Sequence, residues 1–530
     1  MDILLLIICL VLGFSLWLVV EKIIFYIENK NNNNNSNNKE KKIILPQGLN
    51  FFTWFFNYLL NYYNLKPTSS IVNNKKSDGE INELKEDTSE NTVLKWFNVF
   101  NTSTYCVSFF GRPMIFTKDI NIARYILSNV TDYQKPPDSS GVLIRLASNS
   151  ILMSEGKEWK HHRDILEQPF SSRNVKLMVP TIESTVEQLI NQINLGNKQV
   201  NSGDEFRIDI HSTMTKLTFD IIGKLSIGYD FKSINNSNNK ESENVSKQFD
   251  FILNEMIRPI RRFSKYLPLF NDIKLFRYLA NFETVTKNAI KSRLSVISNP
   301  DGEISGNSST YKTNYLLDPL IKSNINEKEI IGNINTFLLA GHETSANLLT
   351  FIFYLLSTHE NIQDQLYKEL KQMSSENIEK CEFLDFVIYE TLRLFPPAPM
   401  IGRNSTKEVD ELHGQLKQLF RIPKDTLILF SVYAINRDPL VFENPNQFIP
   451  SRWATMEDRF IFQHISFSMG KRVCIGMNFS LVEARIIISK LLLNYRIEYK
   501  PIKNLDKPFT IYQRATLTTK YPINLNFIKR

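Results

Sequence analysis

The stretch "FSMGKRVCIG", Phe467 to Gly476, places one cysteine behind two cations and between two glycines, in a chain of 530 residues that has only four cysteines. An isolated intracellular cysteine is most often an inert buried thiol. The surroundings of Cys474 point elsewhere. Gly470 and Gly476 allow the backbone to turn tightly and to approach something flat. The segment that follows, "MNFSLVEARIIISKLLLNY", carries apolar residues at the spacing of a buried helix. Cys474 is therefore expected at a helix N-terminus, where the dipole and the free N–H groups favour a thiolate.

A thiolate either attacks or binds metal. Attack would need a base, and the nearest histidine in sequence, His464, belongs to no protease-like Cys/His pattern. Zinc would need several further ligands. Haem iron needs one axial protein ligand, and thiolate ligation favours O–O cleavage.

Phe467, Gly470, Arg472, Cys474 and Gly476 fall in the pattern F-x-x-G-x-R-x-C-x-G, which resembles the haem loop of the cytochrome P450 superfamily. Five more stretches lie in the order that this resemblance requires. "ETLR" holds Glu390 and Arg393, and "FIPSRW" holds Arg452; the resemblance implies a buried triad of these three. "WKHHR" supplies Trp159 and Arg163, and "MIGR" supplies Arg403, at positions implied to hydrogen-bond the haem propionates together with Arg472. "AGHETS" resembles the oxygen-activation segment, with Ala340 and Gly341 leaving room over the iron and Glu343 and Thr344 relaying protons to dioxygen. Taken singly, each pair or arginine reads equally well as a solvated surface group, and Thr344 as a helix threonine bonded to its own backbone.

Lys and Arg outnumber Asp and Glu by 63 to 55, for a formal charge of +8. No basic block accompanies the excess, which speaks against a nucleic-acid partner and fits a protein beside an anionic membrane or an acidic partner. Cys9, Cys106, Cys381 and Cys474 are too scattered for a disulfide framework or a CxxC zinc site. The uncharged run Ile3 to Val20 reaches ~27 Å as a helix, enough to span a membrane. Its positive charges lie on the far side, which places the rest of the chain in the cytosol. The expected organisation is a single-pass anchor over 1–28, an asparagine-rich linker over 29–42 and a catalytic domain over 43–530.

Within that domain helical spacing dominates, as in "IESTVEQLINQI" and "STMTKLTFDIIGKL". Short β-like pieces occur at "VSFFGRPMIFT", "DTLILFSVYAI", "YRIEYK" and "YPINLNFI". The fold class is thus mainly α with small β-sheets, P450-like, with a long central helix over the haem. Glu327 to Thr358 could be a second membrane span, but an acid and several hydroxyls at mid-bilayer would be costly, so a helix through the core lining a cavity is expected.

The resemblance implies a membrane monooxygenase of the endoplasmic reticulum. It would bind haem b and insert one atom of dioxygen into a lipophilic substrate, with electrons from NADPH through NADPH-cytochrome P450 reductase. A P450-like isomerase or dehydratase of lipid hydroperoxides, or a non-catalytic haem protein, is the competing possibility. The pair Glu343 and Thr344 favours the oxygenase, since such isomerases commonly lack it.

Overall fold

The computed structural model describes residues 89–530 apart from 100, 110–111, 137–141, 200–206, 235–247, 249–250, 257–271, 299–315, 324, 375–377, 379, 408, 414–418, 457–464 and 503–504. The expected anchor, 1–28, and linker, 29–42, lie outside the described residues. Along the chain come α1 (Ser89–Val99), β1 (Thr104–Phe109), β2 (Arg112–Thr117), α2 (Ile120–Ser128), β3 (Tyr133–Gln134), α3 (Val142–Ala147), α4 (Gly156–Glu167), α5 (Ser172–Gln199), β4 (Arg207–Asp209), α6 (Ile210–Ile227), α7 (Asp272–Ser298) and α8 (Leu317–Lys322). Next are α9 (Glu327–Thr358), α10 (Glu360–Gln372), α11 (Glu382–Leu394), β5 (Met400–Ser405), β6 (Val409–His413), β7 (Leu419–Pro423), β8 (Leu427–Ser431) and the single turn α12 (Val432–Ile435). Three 3₁₀ turns, Pro450–Ala454, Ile465–Phe467 and Gly470–Arg472, lead into α13 (Met477–Asn494), β9 (Tyr495–Glu498), β10 (Ile511–Gln513), β11 (Leu517–Thr519) and β12 (Asn524–Lys529).

The chain is mainly helical with small sheets, as expected. A five-stranded sheet runs in the order β1-β2-β8-β5-β3, with β2 parallel to β8 and the other pairs antiparallel. A three-stranded sheet orders β4-β12-β9, and β6–β7 and β10–β11 pair separately. One expected strand is cut short: in "DTLILFSVYAI" the strand ends at Ser431, whose side chain accepts the Ala434 N–H at 3.1 Å and starts a helical turn.

The long central helix α9 spans Glu327 to Thr358, the residues expected for it. Asn326 caps it by accepting the Glu329 N–H, and Glu327 and Glu329 face the positive end of its dipole. It is buried along most of its length and packs chiefly on α6. Gly341 sets that approach, because a Cβ there would lie 2.9 Å from the Ile222 side chain. Among the described residues no helix is long and apolar enough to cross a membrane, so α9 is a core helix and not a second span.

Glu390 is fully buried and receives five donors. Its Oε1 accepts from Arg393 Nη2 at 2.8 Å, the Ile449 N–H at 2.9 Å and Arg452 Nε at 3.0 Å; Oε2 accepts from Arg393 Nε at 2.9 Å and Trp453 Nε1 at 3.0 Å. The remaining Arg393 donors reach the carbonyls of Asn436, Pro445 and Gln447. Every charge in the cluster is paired, the condition under which a buried ion pair is tolerable. Glu390→Ala would strand Arg393 in the core and should cost roughly 3–5 kcal/mol. Trp453→Phe removes one neutral donor and should cost about 1–3 kcal/mol. Urea unfolding of the two variants checks this ordering, and equal losses would contradict it.

Candidate active site

The cysteine loop is held by backbone geometry. Gly470 adopts φ +68°, and a Cβ there would sit 2.5 Å from the Leu127 carbonyl oxygen, so no other residue fits without displacing α2. The Cys474 N–H donates to the Phe467 carbonyl at 2.8 Å, closing the loop. Gly476 is different: its φ is −84°, and a Cβ there would meet Cys474 Sγ and Phe170 only at 3.9 Å. Gly476 is therefore not required by a strained turn. Its missing side chain instead leaves open the space beside the sulfur.

Cys474 lies just before the α13 N-terminus, as expected, and its side chain opens into a cavity of about 360 Å³. The same cavity is lined by Trp159, Arg163, Ala340, Gly341, Thr344, Arg403, Phe467, Arg472 and Gly476, whereas Gly470 does not line it and serves the turn against α2. Motifs dispersed over three hundred residues of sequence thus converge on one space. Ala340 is an exposed position in an otherwise buried helix because it faces this opening.

The sulfur departs from expectation in one respect. Burial pushes the Cys474 thiol up, and this outweighs the Gly476 N–H, Arg163 and Lys135, which act in the opposite direction.

The cavity wall is strongly cationic. Arg163 donates to the Val473 carbonyl at 2.8 Å, Arg472 donates to the Ser154 carbonyl at 2.9 Å and pairs with Glu155 at 2.5 Å, and Arg403 donates to the Gly402 carbonyl. The Arg472 guanidinium also lies over the Trp159 ring, 4.2 Å from its centroid. A fourth cation was not singled out from the sequence. Lys135, which follows β3, donates to the Leu152 carbonyl at 2.8 Å and lines the cavity. A lone lysine in "DYQKPP" carries no signal of this; only the fold turns it inward.

These cations are mismatched with their surroundings. Burial, with Arg472 and Arg403 nearby, pulls Lys135 down to about 7, and burial with Arg472 pulls Arg403 down to about 10. Arg472 Nη1 is buried without a hydrogen-bond partner. Such a wall fits a flat group carrying two carboxylates, with one axial position for Cys474, which is what haem presents.

On the opposite wall Thr344 lines the cavity, while its hydroxyl donates to the Ala340 carbonyl at 2.7 Å. Glu343 is buried but does not line the cavity; it faces the β10–β11 hairpin across α9. Adjacent residues on a helix diverge by about 100°, so the two share a sequence motif without sharing a surface.

Loading the site should reveal Lys135. Between about pH 7 and 10.5 it is largely neutral in the unloaded folded protein and charged in the unfolded chain. The unfolded chain therefore binds more protons there, and apoprotein stability rises with pH across that window. Carboxylates placed beside Lys135 would restore its proton. Calorimetric haem titration inside this window, in buffers of differing ionisation enthalpy, should show wild type taking up about one more proton than Lys135→Met. Equal proton counts would contradict the placement of Lys135.

Comparison with known proteins agrees with the geometry. The family model described as Cytochrome P450 matches residues 79–527. The chain is 52% identical to "Probable cytochrome P450 525A1" of Dictyostelium discoideum, covering 98% of this chain and 97% of that protein. It is 26% identical to "Cytochrome P450 monooxygenase 128" of Postia placenta, over 82% of this chain and 87% of that one. It is 28% identical to human "Cytochrome P450 3A7", over 71% and 75%. A loop thiol, a cationic wall and a hydroxyl-bearing helix around one cavity, in a chain matched by the family over most of its length, identify this protein as a member of the cytochrome P450 family and a P450 monooxygenase.

Proposed function

We propose that Cys474 is the axial ligand of a haem b held in this cavity, and that the enzyme inserts one atom of dioxygen into a lipophilic substrate. The observation that carries this is the accessible Cys474 sulfur on one wall of a cavity whose rim bears Lys135, Arg163, Arg403 and Arg472. Haem, when bound, supplies the iron at which dioxygen is reduced and cleaved.

The chain's own residues do the rest. The arginines, Lys135 and the Trp159 indole N–H hold the carboxylates and so fix the plane of the group. Ile151, Phe337, Pro397, Ala398 and Ile401 present an apolar lining to the substrate and exclude water. The Thr344 hydroxyl, released from the Ala340 carbonyl by side-chain rotation, donates a proton on the cavity side of α9. Glu343 supplies that proton from behind. Electrons would come from NADPH through a reductase. Residues 3–20 would hold the protein in the endoplasmic reticulum membrane with its catalytic domain in the cytosol.

Two outcomes follow. Carbon monoxide added to the reduced protein should give the red-shifted Soret band of a thiolate complex, and Cys474→Ser should lose it; retention of the band would contradict the ligand. Thr344→Ala should keep haem and substrate binding yet release several-fold more hydrogen peroxide per product. Turnover with a lipid hydroperoxide but none with NADPH, reductase and dioxygen would sink the proposal. As to location, protease added to intact microsomes should digest the domain, whereas protection would place it in the lumen.

A further inference from the structure

The surroundings of Glu343 form a built hydrogen-bond seam behind α9. Thr516, in the turn between β10 and β11, donates its hydroxyl to Glu343 Oε1 at 2.9 Å. Asn347, one helical turn beyond Glu343, donates Nδ2 to Thr516 Oγ1 at 3.1 Å and to the same Glu343 oxygen at 3.4 Å. His211, in the first turn of α6, has Nε2 at 3.2 Å from Asn347 Oδ1 and 3.0 Å from Thr518 Oγ1.

The chemistry of the donors fixes the polarity. Were the Asn347 amide reversed, its oxygen would face a carboxylate, so the oxygen must face His211, whose Nε2 then carries the hydrogen. With Asn347 donating to the Thr516 oxygen, the Thr516 hydrogen is directed at Glu343. Glu343 Oε2 is buried and has no hydrogen-bond partner. Thr516 is half-buried and the adjacent Ala515 exposed, so water reaches the hairpin side of the seam.

We propose that Thr516 passes protons from solvent to Glu343, feeding the relay through the β10–β11 hairpin behind α9 and not through the substrate cavity. This rests on the relay role assigned to Glu343 and Thr344 above. The Thr516 O–H bond breaks as an O–H bond forms at Glu343 Oε1, and the Thr516 oxygen takes a replacement proton from solvent hydronium, which leaves as water; no electrons are transferred. Asn347 and His211 are positioning residues, holding the hydroxyl in the orientation that donates. Rotation of the protonated Glu343 carboxyl then carries the new O–H from the Oε1 position toward the side now held by Oε2, which has no hydrogen-bond partner, and the proton leaves from there.

The charged groups facing Glu343 are His342 on its own helix, His211 from α6 and Arg514 from the hairpin. Burial raises the Glu343 carboxyl, but these groups and the Thr516 hydrogen bond together outweigh it and hold the carboxyl below its ordinary value. The Thr516 hydrogen bond is thus one of the contacts that favour the charged carboxylate, and its loss would move the carboxyl upward.

The test uses the full-length, haem-loaded enzyme with Thr516→Val and Thr516→Ser. Infrared titration, with the Glu343 carboxyl band identified by its loss in Glu343→Gln, should show Thr516→Val raising the Glu343 titration by about one pH unit. The same variant should release several-fold more peroxide per product, with an altered solvent deuterium isotope effect. Thr516→Ser, which keeps the hydroxyl, should restore all three readouts. If Thr516→Val behaves as wild type while Glu343→Gln uncouples, protons reach Glu343 another way and this inference is wrong. If Thr516→Ser is as impaired as Thr516→Val, the hydroxyl is not what matters and the inference is again wrong. Should Glu343→Gln itself leave peroxide release unchanged, the relay assignment fails; the infrared titration then still decides whether Thr516 holds Glu343.

Discussion

A single buried carboxylate sets the position of the cysteine. Glu390 orients Arg393 and Arg452, and Arg393 in turn donates to the Asn436 carbonyl. The Asn436 amide lies 3.4 Å from Ser466 Oγ, which donates to the Leu392 carbonyl on the same helix as Glu390. Ser466 adjoins Phe467, whose carbonyl accepts the Cys474 N–H. Polar contacts, joined by the Ser466–Phe467 peptide link, therefore connect the α11 ion cluster to the Cys474 backbone. Desolvating a charge is costly enough that such a cluster has one low-energy arrangement, and the loop inherits that definition.

The cavity inverts this arrangement. Around Glu390 every donor meets an acceptor; around Cys474 four cations, Lys135, Arg163, Arg403 and Arg472, outweigh the carboxylates Glu155 and Glu167 that pair with them. Burial, with the neighbouring arginines, depresses Lys135 and Arg403, and burial pushes the Cys474 thiol up. The protein alone thus leaves an electrostatic imbalance concentrated at one place. A ligand with two negative charges and a metal cation relieves both faults at once, which links folding of the domain to loading of the site.

What could be read from residues alone follows a physical division. Contiguous motifs were legible because their chemistry is local: the left-handed turn at Gly470 needs glycine, and α9 announces itself by its apolar spacing. Groups whose roles depend on distant neighbours were not. Lys135 looks like any loop lysine, Trp453 like any aromatic beside an arginine, and Thr516 and Asn347 like ordinary polar residues. Each matters only because the chain returns another segment to it. The divergence of Glu343 from Thr344 was also hidden, since adjacency in a motif says nothing about which side of a helix each residue serves until the helix is packed. In "DTLILFSVYAI" the β-branched run concealed a cap, because Ser431 competes for a backbone N–H that strand propensity does not weigh.

The order of the strands bears on how the chain is made. β2 lies beside β8, and β4 pairs with β12, so residues 114–117 and 207–209 wait for partners at 427–430 and 524–526. During synthesis the early strands leave the ribosome with their edges unpaired for the time it takes to translate almost everything between them. Local helices such as α5 and α6 and the antiparallel pairs β1–β2 and β6–β7 need no such wait. β2 gains its partner once residues 427–430 emerge, whereas β4 waits for 524–526, and a polypeptide stalled before β12 would leave a strand edge that invites aggregation or chaperone capture.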